Sequence, residues 1–371
     1  MQFGTLWIWD VFCAYHGRNN MSRKMQGVIF TGGGNVEVRE FSVGEPVGTQ
    51  VLVELRAAGL CGSDMHPYRN PPEYWRQYPI IRGHEPGGIV RQVGEAVSMV
   101  KTGDRVSVYH APTCGHCEPC ANGEYFRCTT IGDGYRLASL KVHGCDADYV
   151  LVDQNVCFPV PDELSFEDAA IVACAGGTAF HALTLADVTG PETVLVSGLG
   201  PVGLCVVRLA IAMGSDVIGA DPVAYRRDIA KSLGARVVYD PSQIKASEYV
   251  KSVTRDGAEI AVETSGNDQA RIDIVAATPY HARLVYVGWG GKAANFSLGP
   301  SLGERRITGS NMFTGPDYYR LINFMLKADV RFADLVTHRF SLDQAQQAFD
   351  LFETDETGKV MFIWSEHETR S

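Results

Sequence analysis

TVLVSGLGPVGLCVVRLAIAMG, residues 193–214, reads as a strand, a glycine-rich turn and a helix. Its first five residues are mostly β-branched, and Gly198-x-Gly200-x-x-Gly203 follows directly. The first glycine makes the tight turn, the second lets a pyrophosphate approach the backbone, and the third lets helix and strand pack closely. Phosphates would sit on the helix N-terminus, where unpaired N–H groups and the helix dipole favour negative charge. A glycine turn alone is weak evidence. Here a second strand, DVIGAD, ends in Asp221, at the distance where a carboxylate meets the adenosine ribose. The pair of signals predicts dinucleotide binding.

Outward from this unit, strand-like runs recur at ARVVYD, EIAVET, RLVYVGW and RITGS, alternating with helical stretches such as AYRRDIAKSLG. That rhythm predicts an α/β, doubly wound parallel sheet over about residues 174–314. Before it, VLVELRA, GGIVRQVG, DRVSVYH and ADYVLVD are short alternating strands separated by Gly/Pro turns, which suggests a partly closed β-barrel-like domain over residues 25–173. YYRLINFMLKA and LDQAQQAFDLF look helical in a C-terminal portion, residues 315–371. The strand-like pattern begins only near Met25, so residues 1–24 read as an extension.

The 371 residues are 45% hydrophobic and 20% charged, the balance of a folded globular chain long enough for two cores. A net charge of -10 disfavours a nucleic-acid partner, which clustered Lys and Arg would attract. The best apolar run, Val202 to Met213, is short and carries Arg208, so no membrane span is expected. The opening MQFGTLWIWD has no basic leader and contains Asp10, which reads against a secretory signal and for a cytoplasmic protein.

Ten cysteines in such a chain point away from disulfides. TCGHCEPCANGEYFRC places Cys114, Cys117, Cys120 and Cys128 on short Gly- and Pro-punctuated spacers, which let four sulfurs reach tetrahedral corners. A closed structural zinc site is the leading reading, ahead of disulfides and an iron–sulfur cluster. With every position filled by protein, this metal does no chemistry. Chemistry falls to GLCGSDMHPYR, GHE and IVACAGGTAF, where Cys61, His84 and the distant Cys174 form a second soft-and-imidazole set with one position open. Singly, Cys174 reads equally as a buried core cysteine and His84 as a core histidine.

Taken in order, the CGSDMH and GHE segments, the four-cysteine lobe, Cys174, the glycine turn and the closing GKVMF make the chain resemble the zinc-dependent alcohol dehydrogenases of the medium-chain dehydrogenase/reductase family, from about Met25 to the C-terminus. The resemblance implies a GroES-like catalytic domain beside a Rossmann domain. It further implies two zinc ions per chain, NAD as cofactor and a small alcohol or carbonyl compound as substrate, in a homo-oligomer. Cys61, His84 and Cys174 match the catalytic zinc ligands, and Glu85 a carboxylate close to the metal. Asp64 matches the acid that orients the ligand histidine. Ser63 and His66 match a proton relay through the nicotinamide ribose. Thr178 and Val202 match contacts to the nicotinamide ring, and Lys359 a basic residue on the pyrophosphate.

Cys174 stands where polyol-type members often have glutamate, whereas GGTAFHAL is similar to the polyol and threonine branch, so the subfamily stays open. His110 falls where simple-alcohol members often place an aromatic wall, which implies a pocket polar on one side. A secondary alcohol or polyol is the expected substrate. A zinc-free NADPH-dependent enone or quinone reductase and a non-catalytic dinucleotide-binding protein are the competing classes, and neither needs the Cys61, His84, Cys174 set.

Overall fold

The structure, a computed structural model, describes residues 23–75, 79–130, 142–292 and 299–365. The N-terminal extension as far as residue 22 lies outside the described residues. MQGVIF falls in β1 (Arg23–Phe30), which forms an antiparallel ribbon with β2 (Val36–Val43). VLVELRA is the middle of β3 (Gln50–Gly59), followed at once by the short helix α1 (Gly62–Tyr68). The next strands are β4 (Pro86–Val93), β5 (Arg105–Val108), β6 (Tyr149–Asp153) and β7 (Cys157–Pro159).

A 20-residue helix, α2 (Phe166–Leu185), then crosses from this first portion of the chain to the glycine-rich unit. Its start is set by Ser165, whose hydroxyl accepts the Asp168 N–H while the Asp168 carboxylate returns to Ser165, a reciprocal cap. Beyond Asp168 the helix carries no acid, lysine or arginine, so it corrects the expectation that no apolar run is long enough to cross a membrane. Its surroundings explain the composition: 78% of the most apolar stretch is buried inside the fold. Gly176 and Gly177 admit Phe332 and Phe313, since a Cβ there would lie 2.5 and 2.4 Å from those rings. Between Val172 and Gly176 the helix widens into a π turn, a form that recurs at functional sites, and Cys174 sits on it.

The second sheet contains β8 (Thr193–Ser197), β9 (Asp216–Ala220), β10 (Val237–Tyr239), β11 (Ile260–Glu263), β12 (Arg283–Tyr286) and β13 (Arg306–Gly309). The order β10-β9-β8-β11-β12-β13 is parallel throughout. The helices α3 (Pro201–Ala212), α4 (Ala224–Ser232), α5 (Ala246–Val253) and α6 (Asp268–Ala276) connect its strands. The chain reverses direction across the sheet between β8 and β11, and the carboxyl ends of strands at such a point form a ligand crevice. The α/β doubly wound reading holds, and each strand read from the sequence in this half is present.

The chain then returns. After α7 (Gly315–Ala328), β14 (Val336–Phe340) and α8 (Ala345–Glu353), the last strand β15 (Lys359–Ile363) pairs parallel with β14 and antiparallel with β3. The first sheet therefore has the order β14-β15-β3-β4-β5-β7, with β6 also on β3. On α7, Asp317 closes a capping box with Thr314 and receives His181 of α2 at 2.7 Å, which ties the returning chain to the central helix.

Candidate active site and metal clusters

The glycine turn has the geometry its spacing demands. Gly198 has φ +91°, a region that L side chains rarely adopt, and a Cβ on Gly203 would lie 1.9 Å from the Gly198 carbonyl oxygen. In front of Gly200 a Cβ would meet nothing within 4 Å, so the backbone there is open to a ligand. Gly200 caps α3 and Pro201 begins it, leaving the N–H groups of the first turn directed at that opening. Val202 is half-buried on the same turn.

Asp221 leaves β9 beside this turn. It is buried, with Oδ2 accepting the Leu199 N–H at 2.7 Å and Oδ1 the Val223 N–H at 2.8 Å. A carboxylate has about four lone-pair sites, so capacity remains on each oxygen. Arg226 and Arg227, on the helix that follows, are both engaged within the fold. Arg226 binds Asp355 at 2.8 Å, and Arg227 binds the carbonyls of Asp221 and Pro222 and faces Asp240.

The first metal cluster forms at the end of β3. Cys61, His84, Glu85 and Cys174 are all buried, and one donor atom from each lies within 4.8 Å of every other. Cys61 is the N-cap of α1, and Asp64 on that helix takes the Cys61 N–H on Oδ2 at 3.0 Å. Its Oδ1 lies 3.3 Å from His84 Nδ1, which turns Nε2 toward the thiols. The Ser63 hydroxyl stands at the rim, 3.3 Å from Cys61 Sγ and 3.4 Å from His84 Nε2. His66, one turn further along α1, is exposed, and among the described residues no hydrogen bond joins it to Ser63. Thr178 is buried one turn beyond Cys174 on α2.

The electrostatics are those of a closely packed ligand set. The hydrogen bond between the two thiols holds Cys61 well below the usual thiol value and Cys174 well above it. Burial works against charge on His84, but the Asp64 carboxylate and the Cys61 sulfur together outweigh it and raise the imidazole well above its ordinary value. Burial pushes Glu85 up to about 7. Lys359 is almost fully buried, with its ammonium paired to Glu85 and donating to the Leu60 carbonyl at 2.7 Å. The ammonium expected at a pyrophosphate is thus turned toward the metal cluster.

His110 lies against the same cluster. Its ring centroid is 5.4 Å from that of His84 and stacks on Tyr109 at 5.2 Å, while Nδ1 is 3.0 Å from the Ala173 carbonyl. Burial lowers its pKa to about 4, so the ring is neutral near pH 7.

The second cluster is the cysteine lobe. Sγ separations are 3.3 Å for Cys117–Cys120, 3.9 Å for Cys114–Cys120 and 3.9 Å for Cys117–Cys128. A tetrahedron with metal–sulfur bonds of about 2.3 Å has edges of roughly 3.8 Å, so the four sulfurs fit zinc with little movement. The N–H groups of Cys114 and Cys117 and the Thr113 hydroxyl approach the sulfurs at 3.4, 3.4 and 2.7 Å, contacts that favour thiolates. Cys61, His84 and Cys174 likewise fit zinc, by donor chemistry and by their mutual reach.

The sequence reading missed the loop after β11. Glu263 gathers the N–H groups of Ser265 and Gly266, and the Thr264 hydroxyl donates to the Gly198 carbonyl at 2.7 Å, bracing the glycine turn. A cavity of about 610 Å³ opens beside it, lined by Ser265, Asn267 and Trp289 among others. No motif marks this loop; only the parallel order of the sheet brings it to the crevice.

Two family descriptions match the chain, "Alcohol dehydrogenase GroES-like domain" over residues 47–162 and "Zinc-binding dehydrogenase" over residues 201–327. An uncharacterized zinc-type alcohol dehydrogenase-like protein, YphC, of Escherichia coli K12 is 33% identical, over 91% of this chain and 98% of its own. Sorbitol dehydrogenase of Bacillus subtilis is 31% identical, over 90% of this chain and 94% of its own. An alcohol dehydrogenase of E. coli CFT073, solved with NADH, superposes with a TM-score of 0.80 at 26% identity, covering 92% of this chain and 99% of that one. With both family descriptions in place and relatives aligned along nearly their whole length, the chain belongs to the zinc-type alcohol dehydrogenases of the medium-chain dehydrogenase/reductase family.

Proposed function

We propose that this protein is a zinc-dependent dehydrogenase that oxidises a secondary alcohol or polyol-like substrate to the ketone or aldehyde, with NAD as the oxidant. The observation that carries the reading is the convergence of Cys61, His84 and Cys174 in one buried cluster with the Ser63 hydroxyl at its rim. Zinc held there supplies Lewis acidity, which lowers the pKa of an alcohol hydroxyl toward neutrality, and NAD on the Gly198–Gly203 turn supplies the hydride acceptor.

The chain's own residues do the rest. Asp64 fixes the tautomer of His84, so that Nε2 is the donor atom. Ser63 takes the substrate proton at Oγ and passes it through the nicotinamide ribose to His66, exposed on the same helix, which releases it to water. Glu85 sits close to the metal with its charge balanced by Lys359. Asp221, held by two backbone donors, binds the ribose hydroxyls and repels a 2′-phosphate. Residues 25–173 together with 315–371 serve as the metal-bearing portion and 174–314 as the dinucleotide-bearing one. The reading carries with it a cytoplasmic homo-oligomer acting on small molecules, with neither nucleic acid nor membrane as a partner.

Polyol chemistry is supported by the sorbitol dehydrogenase relative. A zinc-free enone reductase of the same fold is disfavoured, because it has no use for two thiols and an imidazole gathered beside a hydroxyl. The test is metal analysis together with cofactor reduction over a panel of primary, secondary and polyhydroxy alcohols. Two zinc ions per chain and alcohol-dependent reduction of NAD are expected; a zinc-free protein that reduces enones with NADPH would refute the reading.

A further inference from the structure

Helix α1 carries both residues assigned to the proton path, and its two ends are held by different parts of the fold. At its start, Cys61 and Asp64 belong to the metal cluster. At its end stands Tyr68, fully buried, with its ring stacked on Phe349 of α8 at 5.4 Å and Phe30 edge-on to both. The Tyr68 hydroxyl donates to Asp350 Oδ1 at 2.9 Å and accepts from Gln346 Nε2 at 3.1 Å. Gln346, one turn before Asp350 on α8, also lies 2.8 Å from that carboxylate and 3.0 Å from the Gly34 carbonyl, and its Oε1 accepts the Val36 N–H at 2.9 Å. The turn between β1 and β2 completes the seat. There the Gly34 N–H donates to the Tyr68 carbonyl at 3.1 Å and the Gly33 N–H to that of Asn70 at 2.8 Å. Burial, with the Asp350 carboxylate beside it, pushes the phenol up, so it stays protonated and a donor.

Ser63 and His66 both face outward between these two anchors. Ser63 is two positions from Cys61, and His66 is two positions from Tyr68. A helix of seven residues is too short to keep its direction unaided. Release of the far end therefore lets α1 pivot about the metal cluster, with a small displacement at Ser63 and a larger one at His66. Among the described residues no hydrogen bond or ion pair steadies the His66 imidazole itself, so the backbone beneath it sets its position. We propose that Tyr68, locked by Gln346 and Asp350 of α8, is the positioning residue that holds His66 where it can receive the substrate proton from the ribose. The inference rests on the reading of Ser63 and His66 as the proton path. It deepens that reading by assigning the aim of the last group on the path to three side chains that touch neither metal nor substrate.

Three substitutions in the zinc-loaded enzyme separate this role from support of the fold. Asp350 is exposed, so Asp350→Ala removes the acceptor without disturbing the core, and Asp350→Asn keeps an oxygen in its place. Tyr68→Phe keeps the ring and removes the hydroxyl. The rate read is single-turnover reduction of NAD at pH 7 by the fastest alcohol of the panel above. Asp350→Ala and Tyr68→Phe should keep both zinc ions and the Kd for NAD, yet lower that rate about tenfold and by no more than His66→Gln does, since small misplacements of a catalytic group cost up to about 10²-fold. Asp350→Asn should restore most of the rate. Each loss should vanish in a His66→Gln background, where no imidazole is left to aim, whereas independent effects multiply. Hydrogen exchange of the α1 amides, read without substrate, should quicken in Asp350→Ala and Tyr68→Phe but not in Asp350→Asn. An unchanged rate or unchanged exchange in those two variants, a loss that multiplies with His66→Gln, or loss of zinc overturns the inference and leaves the dehydrogenase reading standing. A His66→Gln enzyme as fast as wild type overturns the proton path and this inference with it, again without touching the dehydrogenase reading. Turnover of no alcohol or carbonyl compound by wild type overturns the dehydrogenase reading itself.

Discussion

Replacing Asp221 with serine should do two separable things. The carboxylate is buried and pinned by the Leu199 and Val223 N–H groups, so it cannot swing away from an approaching 2′-phosphate. Like charges juxtaposed at a binding site cost several kcal/mol, so the wild type should prefer NAD over NADP by roughly 100-fold in kcat/KM. Asp221→Ser removes the repulsion and the ribose acceptor together, and most of that ratio should collapse. The second effect is on stability. Val223 is partly exposed and can turn its N–H to water, but Leu199 is fully buried. One buried N–H left without its acceptor costs about 1–3 kcal/mol, visible as a lower denaturation midpoint without cofactor. Asp221→Asn keeps an acceptor oxygen and should lose less stability while still losing charge. The assay is kcat/KM with each cofactor for the three proteins, alongside denaturant unfolding. A wild type that favours NADP, or an Asp221→Ser protein with an unchanged cofactor ratio, would refute the reasoning.

The two zinc sites share no ligand, so Cys61→Ala should lose one ion and keep the other, whereas Cys117→Ser should damage folding or assembly; metal analysis and unfolding curves check both. Ser63→Ala should keep both zinc ions and lose about 10²- to 10⁴-fold in alcohol oxidation, while His66→Gln is milder and recovers as pH rises, because hydroxide can then take the proton; pH–rate profiles decide. Asp317 is pushed up by burial, but hydrogen bonds from His181 and Thr314 outweigh this and hold its carboxyl at about 2, below the ordinary 3.8. Its charged form therefore stabilises the fold above the ordinary value, and that contribution is lost as pH falls through the folded one. The stability gap between wild type and Asp317→Asn should be flat at neutral pH and close only within that acid window.

What the sequence made legible was whatever local backbone or spacing enforces. Gly198 and Gly203 are required by a positive φ and a close approach, and four cysteines within one loop need no distant partner to declare a metal. Strands β3, β4, β8 and β11 announce themselves by runs of Val, Ile and Leu. β7 is only three residues long and β14, with Thr337, His338 and Arg339, is too polar to be read. Nothing local marks Lys359 as buried beside a metal cluster, since an isolated lysine is ordinarily a surface residue. Its burial exists because β15 lands against β3, some three hundred positions earlier in the chain. Arg226 is similar, for its acid partner Asp355 lies on the returning segment. The apolar run of α2 shows the same limit, because a span's composition and a core helix's composition coincide until its neighbours are known.

The meeting of β15 with β3 also fixes when the protein can become an enzyme. Cys61, His84, Glu85 and Cys174 all come earlier in the chain, but the ammonium that neutralises Glu85 belongs to Lys359, far downstream of every one of them. Until then the first sheet has an open edge along β3 where β15 will lie, and Glu85 has no cationic partner in its pocket, a state that disfavours closure of the site. Domains of a nascent chain generally fold from the N-terminus as they emerge. Here that order stops short of a finished centre, and a chain truncated before Lys359 carries every candidate metal ligand yet lacks the final strand that closes around them.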